Sequence, residues 1–419
     1  MKRPMTSIGR VCLPTEQRDP SVTPDRPFRY IDIAAIDKDA KRITSAPEIM
    51  GAAAPSRARK AVRAGDVLVS TVRPNLNAVA VVPEDLDGEI ASTGFCVLRA
   101  NPDVCEGRFI FYWCLTPEFI SSLIAQMRGA NYPAVSDATV KRTSMPLAAP
   151  REQRRIVDLL ERADGLRRKR VEADAMAEGI IPALFSKMFG DPPTNPKGWR
   201  RTPLGEVTAI DAPMVDPRQP EFADLPHIGP DRIEEGTGQL LPAKTAREEG
   251  LISGKYLFDS RHVLYSKIRP YLRKVALAAG RGLCSADMYP VTPIPGCLTR
   301  EFLWALLLST AFTNYTTEHS GRANIPKLNR EQFAAYPCAV PPIELQRVFS
   351  GHAIRLQECA CQRELARRCI GDLFSTMLHR AFTGELTAGW RKAHMKELMA
   401  EMEHQARVLE SPTQEMAFA

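Results

Sequence analysis

The side chains best equipped for chemistry in this chain are cations and carboxamides set in turn-prone stretches. The first half offers Arg73, Asn75, Asn77, Arg128, Asn131 and Lys141. The second half offers Lys267, Arg269, Arg273, Lys274, Arg322, Asn324 and Lys327. Lys and Arg neutralise phosphates, while Arg and Asn can make two-pronged contacts to guanine and adenine edges in the major groove. The plainer reading of each is a solvated charge or a capped turn. Arg73 and Arg269 both precede a proline, so bracing a turn is an equal alternative for them.

Residues arranged for catalysis do not emerge. There is no Gly-x-Gly-x-x-Gly after a strand and no Walker loop. Asn195-Pro196-Lys197-Gly198 superficially resembles the Asn-Pro motif of amino-methyltransferases, but it lacks the aromatic residue that would stack a base. His227, His262 and His319 stand apart from nucleophile motifs and read as surface or packing residues. Ten Cys are scattered with no C-x-x-C, so the expectation is reduced thiols acting as small apolar residues and no metal site.

These residues need elements to hold them, and those elements occur twice. Val67-Leu-Val-Ser-Thr-Val-Arg-Pro-Asn-Leu76 matches Val263-Leu-Tyr-Ser-Lys-Ile-Arg-Pro-Tyr-Leu272 at a shift of 196, with six identities in ten. Ser92, Phe109, Phe119 and Ala130-Asn131 match Ser285, Phe302, Phe312 and Ala323-Asn324 at a shift of 193. The β-branched runs before and after Arg-Pro read as strands. Phe109 to Met127 and Glu301 to Thr317 read as helices, and Arg128 to Ala149 reads as loop. Asn75 and Asn77 face Tyr271 and Arg273, and Tyr132 faces Ile325, so two similar scaffolds carry different loop side chains.

A long amphipathic helix follows each globular half. In Pro150 to Asp191 the apolar residues recur at spacings of three and four, with charges on the other face. Some 30 residues up to Ile181 make a rod of about 45 Å. Pro182 kinks it or restarts it. Pro342 to Phe382 is the second such stretch. The opening of the first, Pro150, Glu152, Arg155 and Ile156, matches Pro342, Glu344, Arg347 and Val348 at a shift of 192. The two ends match as Leu184-Phe185-Ser against Leu373-Phe374-Ser, with Gly371 standing for the break at Pro182. Three prolines and two glycines in Gly190 to Trp199 form a linker. A charged segment, Trp390 to Leu409, has helical spacing and no counterpart; a partner-binding helix and a solvated tail are both open.

At 419 residues the chain has room for two or three domains. A net charge of +7 fits a polyanionic partner but does not by itself identify one. The N-terminus has no apolar run behind it and no segment is long and apolar enough to span a bilayer, so a cytoplasmic protein is expected.

The order of motifs resembles the specificity subunit of type I restriction–modification systems. The motifs are Thr/Lys-x-Arg-Pro after a strand, Gly-Arg-Ala-Asn-Ile-Pro-Lys-Leu-Asn at 321–329 and Pro-Pro-x-Glu-x-Gln-Arg at 341–347. They continue with its copy at 150–156 and Leu-Phe-x-x-Met-Phe-Gly-Asp at 184–191 before Asn-Pro-x-Gly-Trp at 195–199. The likeness extends to about residue 385. The first half departs most, with Asn131-Tyr-Pro-Ala-Val where the second has Asn324-Ile-Pro-Lys-Leu.

The resemblance implies a mixed α/β (α+β) fold. Target-recognition domains at 1–149 and 199–341 would be joined by two antiparallel spacer helices at 150–190 and 342–383, in pseudo-two-fold symmetry. A linker at 191–198 and a charged tail at 384–419 complete this division. Each domain would read half of a split DNA site, and the helices would set the unread gap. A 45 Å rod corresponds to roughly 13 base-pair steps, an upper bound on the separation. The helices would also dock two modification subunits through Ile156, Leu160, Leu166, Leu184, Phe185, Val348, Leu356, Leu373 and Phe374. S-adenosylmethionine, ATP and Mg would sit on those subunits and on a restriction subunit, with no cofactor, metal or catalytic residue on this chain. Two alternatives remain: a DNA-specificity protein of another methylation-based defence system, and a nuclease or other DNA enzyme with an unrecognised site.

Overall fold

A computed structural model describes residues 3–129, 133–321 and 325–410. The chain divides into two units: Met1–Arg170 with Arg367–Ala419, and Val171–Ala366. Each unit therefore holds one globular head, the start of one long helix and the end of the other.

In unit 1 the central sheet has the order Cys12–Leu13, Phe95–Ala100, Val67–Ser70, Val79–Val81. Val69 pairs with Cys96 on one side and Val79 on the other, both antiparallel. Unit 2 repeats the order as Thr208–Ala209, Met288–Pro293, Val263–Ser266, Val275–Leu277. There Tyr265 pairs with Tyr289 and Val275. All four residues of Val67–Ser70 and of Val263–Ser266 are buried, as a strand covered on both faces requires. A second four-stranded sheet in each unit contains one parallel pair, Ile90 beside Tyr30 in unit 1 and His227 beside Leu283 in unit 2.

The stretches expected as single helices are each two. Gly107–Cys114 is followed by Pro117–Ile124, and Arg300–Leu308 by Thr310–His319. A hydroxyl breaks both. Thr116 Oγ1 donates to Trp113 O and accepts from Phe119 N; Ser309 Oγ donates to Leu306 O and accepts from Phe312 N. One side chain thus closes a helix and caps the next. The stretch 128–149 is likewise more than loop. It carries a helix, Asp137–Arg142, capped by Ser136, and a strand, Ser144–Pro146.

Pro150–Glu178 and Ile180–Phe189 form the first long helix, interrupted at Gly179. Pro182 stands in the first turn of the second piece, where a backbone N–H has no helical acceptor to lose. The second long helix, Ile343–Thr383, runs unbroken through Gly371, because glycine keeps its N–H and proline does not. The expected recurrence of the break is therefore absent.

The helix register also differs from the sequence match. Gln153 Nε2 donates to Val104 O and Ala148 O, and its Oε1 accepts from Glu106 N. Gln346 makes the same three bonds, to Cys297 O, Pro341 O and Thr299 N. The shift is 193, so Ile156 corresponds to Phe349, and Val348 is exposed. At the other end Phe382 packs on Phe109, and Phe189 on Phe302, again at 193 rather than the shift of the Leu-Phe-Ser match.

Within each unit the helical segments pair antiparallel. In unit 1 Glu152 meets Thr387 and Arg167 meets Phe374; in unit 2 Asp174 meets Arg363 and Phe185 meets Phe349. Ile156, Leu160 and Phe374 are buried in the core of unit 1, and Phe185 in that of unit 2. These four of the expected docking residues are spent on the protein's own packing. Leu166, Val348 and Leu373 are exposed, with Leu184 and Leu356 half-buried.

The tail forms Ala388–Ala393 and Met395–Glu410, and it packs on unit 1 through buried Leu398 and Gln405. All ten thiols are free. Cys359, Cys361 and Cys369 are exposed, so these three are not the small core residues that the sequence suggested.

Candidate nucleic-acid interface

The Arg-Pro turn has the same strained backbone in both heads. Arg73 and Asn77 have φ of 48° and 47°; Arg269 and Arg273 have 47° and 48°. Left-handed backbone at a non-glycine residue costs on the order of 1 kcal/mol or more. The following proline pushes its predecessor out of the right-handed helical region, and a tertiary hydrogen bond fixes the result. Arg73 N donates to Pro133 O, and Arg269 N to Pro326 O, both at 2.8 Å. Val135 N to Thr71 O and Leu328 N to Lys267 O tie the same loop to the same strand. The Arg-Pro turn and the loop that leads to the long helix are thereby one surface.

Different side chains occupy that common backbone. In unit 2, Lys267 Nζ lies 5.2 Å from the Tyr289 ring centre and the Arg330 guanidinium 6.0 Å from it. Arg330 Nη2 donates to Tyr256 Oη at 3.3 Å. Lys327 pairs through its backbone with Ile268, and Lys327 and Arg269 are exposed. The Lys267 ammonium is held below the usual lysine range, first by burial and then by Lys327, with Asp287 opposing. Lys267 and Arg330 thus lie over one buried ring and crowd positive charge beside the exposed Lys327 and Arg269.

In unit 1 the counterparts of Lys267, Lys327 and Arg330 are Thr71, Ala134 and Asp137. Asp137 is ion-paired to Lys60, which stands where unit 2 has Tyr256. Arg73, Asn75 and Arg128 are exposed around this turn. Lys141 is half-buried on the short helix behind it.

Four expected contacts are engaged within the protein, Lys267 among them through its Nζ, which donates to Ala286 O. Asn77 Nδ2 donates to Cys114 O, and Asn77 O and Oδ1 accept from Lys41 Nζ, so this amide braces the turn. Lys274 Nζ donates to Pro230 O. Arg273 lies over Gly236 and lines a pocket away from the turn. Asn131, Arg322 and Asn324 lie outside the described residues. Sequence reading missed Arg330, Tyr256 and Tyr289. The spacing Lys327-x-x-Arg330 beside the helix-capping Asn329 was the available signal for the first; the two tyrosines arrive from distant strands and left none.

Among the described residues no group of three or more His, Cys, Asp or Glu could hold a metal ion, and no helix is long and apolar enough to cross a membrane. His227 and His262 are buried, not on the surface, with Nδ1 beside Glu249 and Asp259 respectively.

No family model matches the chain. It is 28% identical over 331 residues to the specificity subunit of the type I restriction enzyme EcoDI of Escherichia coli, covering 70% of this chain and 72% of that one. A chain from a structure describing complex assembly and conformational transition of the type I restriction–modification system is 30% identical. That match covers 92% of this chain and 98% of that one, with a TM-score of 0.58. The chain belongs to the type I specificity subunits. The S subunit of the M. genitalium type I system shares the fold, at a TM-score of 0.55 and 12% identity over 91% of this chain and 96% of that one. A type I specificity subunit is the DNA sequence-recognition component of its system and not a catalytic one. The doubled head suits that role, since one backbone frame carries two different sets of side chains.

Proposed function

We propose that this chain reads a bipartite DNA site, one half with each head, through the Arg-Pro turn and the loop tied to it. The observation that carries this reading is the contrast at equivalent positions: Lys267, Lys327 and Arg330 in unit 2 against Thr71, Ala134 and Asp137 in unit 1. The second head contributes phosphate contacts through its crowded cations. The first relies on Arg73, Asn75 and Arg128. Two modification subunits, carrying S-adenosylmethionine, dock on exposed faces of the long helices, where Leu166, Val348 and Leu373 are available. A restriction subunit using ATP and Mg completes the complex, in the cytoplasm.

Mapping methylation in cells that carry this chain with its modification subunit tests the reading. Exchange of residues 199–341 for those of another specificity subunit should change one half of the methylated site and leave the other intact. A change in both halves, or in neither, refutes the assignment of one half-site to each head.

A further inference from the structure

Unit 2 contains a pocket of about 920 Å³ between its head and the helical segments at 177–192 and 356–363. The internal repeat explains the empty space. At the helix shift of 193, Ala360, Ala305 and Ile181 on its wall correspond to Arg167, Tyr112 and Phe374 in unit 1. The hairpin Ile233–Leu240 corresponds to Ile36–Ile43, which places Gly238, at φ 75°, where unit 1 has Lys41, at φ 55°. All four positions are smaller in unit 2.

In unit 1 the four larger side chains form one cluster. The Arg167 guanidinium lies 4.8 Å from the centre of the Phe374 ring, and Tyr112 packs on the same ring at 6.4 Å. Lys41 Nζ reaches Asn77 O. An aromatic pair with the Arg167 guanidinium over one ring thus fills what unit 2 leaves open. The hairpins differ in charge: Asp37-Lys-Asp-Ala-Lys-Arg42 carries three cations and two acids, whereas Glu234-Glu-Gly-Thr-Gly-Gln239 carries two acids and no cation. Glu178, Glu234 and Glu235 line the pocket. Of the cations on its wall, Arg300 and Arg363 are engaged with Glu301 and Asp174, and Arg273 lies against Gly236 of the hairpin. Lys274 approaches Glu235 at 4.0 Å. Glu178, Asp191 and Glu234 keep the rim acidic on balance.

We infer that this pocket receives a segment of the modification subunit that presents an aromatic side chain beside an arginine or lysine. The segment supplies from outside the cluster that unit 1 builds from its own residues. The inference rests on the proposed docking of that subunit and names one place where it occurs. Apolar walls bury the ring, and the acidic rim selects the cation.

Two exposed thiols at the pocket, Cys359 and Cys361, report occupancy, and exposed Cys369, outside it, is the reference. Alkylation by N-ethylmaleimide, followed by peptide mass spectrometry, is compared for the free chain and for its complex with the modification subunit. Cys359 and Cys361 should react at least about tenfold more slowly in the complex while Cys369 changes little. In a second arm Ala360→Arg places a guanidinium in the pocket from within. It should weaken binding of the modification subunit about tenfold or more, with DNA affinity and thermal unfolding unchanged. A complex in which all three thiols are protected alike or none is, or one that Ala360→Arg does not weaken, overturns the pocket assignment and leaves the proposed function standing. A wild-type chain that binds no modification subunit overturns both.

Discussion

Gln405 of the tail helix donates to the same two carbonyls, Val104 O and Ala148 O, as Gln153 at the start of the first long helix. Each carbonyl uses both lone pairs, and the two amides meet where head, helix and tail converge. Gln346 makes the corresponding bonds in unit 2, where no second glutamine among the described residues reaches either carbonyl. The helix Met395–Glu410 is thus built into unit 1 and is not a solvated appendage.

Replacing these glutamines should separate their roles. Gln405→Ala leaves both carbonyls served by Gln153 and should cost about 1 kcal/mol. Gln153→Ala also leaves Glu106 N without its acceptor and should cost about 1–3 kcal/mol. Denaturant unfolding of the two variants checks the order; a larger loss for Gln405→Ala contradicts it.

Below that contact lies an ionic cluster. Glu152 accepts from Arg3 at 2.7 Å and from Thr387 at 2.6 Å, with Arg391 at 3.4 Å, and its side chain is 3% exposed. Burial pulls the Arg3 guanidinium below its ordinary range, with Glu152 opposing. Glu152→Gln leaves two cations facing a neutral amide and should destabilise unit 1 by about 3–5 kcal/mol. Calorimetry should show an early transition for unit 1 and little change for unit 2.

For DNA binding, Lys327→Ala and Arg330→Ala should each weaken affinity and reduce the slope of log affinity against log salt by about 1 if the side chain contacts one phosphate. Arg330→Ala should in addition relax the sequence requirement in the half-site of the second head. Asn77→Ala should lower stability and leave the recognised sequence unchanged. Fluorescence anisotropy with labelled duplexes at several salt concentrations measures all three.

Lys41 provides a pH test. Burial lowers its pKa to about 8 from the ordinary lysine value of 10.5, with Asp39 opposing and Arg167 adding. Between these values the unfolded chain binds more protons than the folded one, so stability from this group rises with pH. Below about 8 both states are protonated and the penalty is fully present. Lys41→Met should therefore stabilise unit 1 most at neutral pH, and its advantage should shrink as the pH rises through the window. Urea unfolding of both proteins across that range decides it; an advantage that does not change with pH contradicts the assignment.

Much of the architecture was legible in the residues alone. The doubled Arg-Pro strand, the paired Phe109 and Phe302 and the two amphipathic stretches announce a repeated head with a helix, because burial imposes its period directly on the chain. Local polar chemistry was harder to read. The breaks at Thr116 and Ser309 depend on one hydroxyl serving two helices, and the helix register depends on Gln153 and Gln346 rather than on the Leu-Phe-Ser match.

By itself the sequence determined the repeat, the strands, the long helices and the positions where the two heads must differ. Only the tertiary structure decided which of those positions meet. Tyr256, Tyr289 and Arg330 come from separate elements. The pocket of unit 2 exists because small residues from a hairpin and three helices converge on one place. Side-chain periodicity reports burial along one element, whereas a site is a sum over elements distant in sequence, and that sum is fixed by packing.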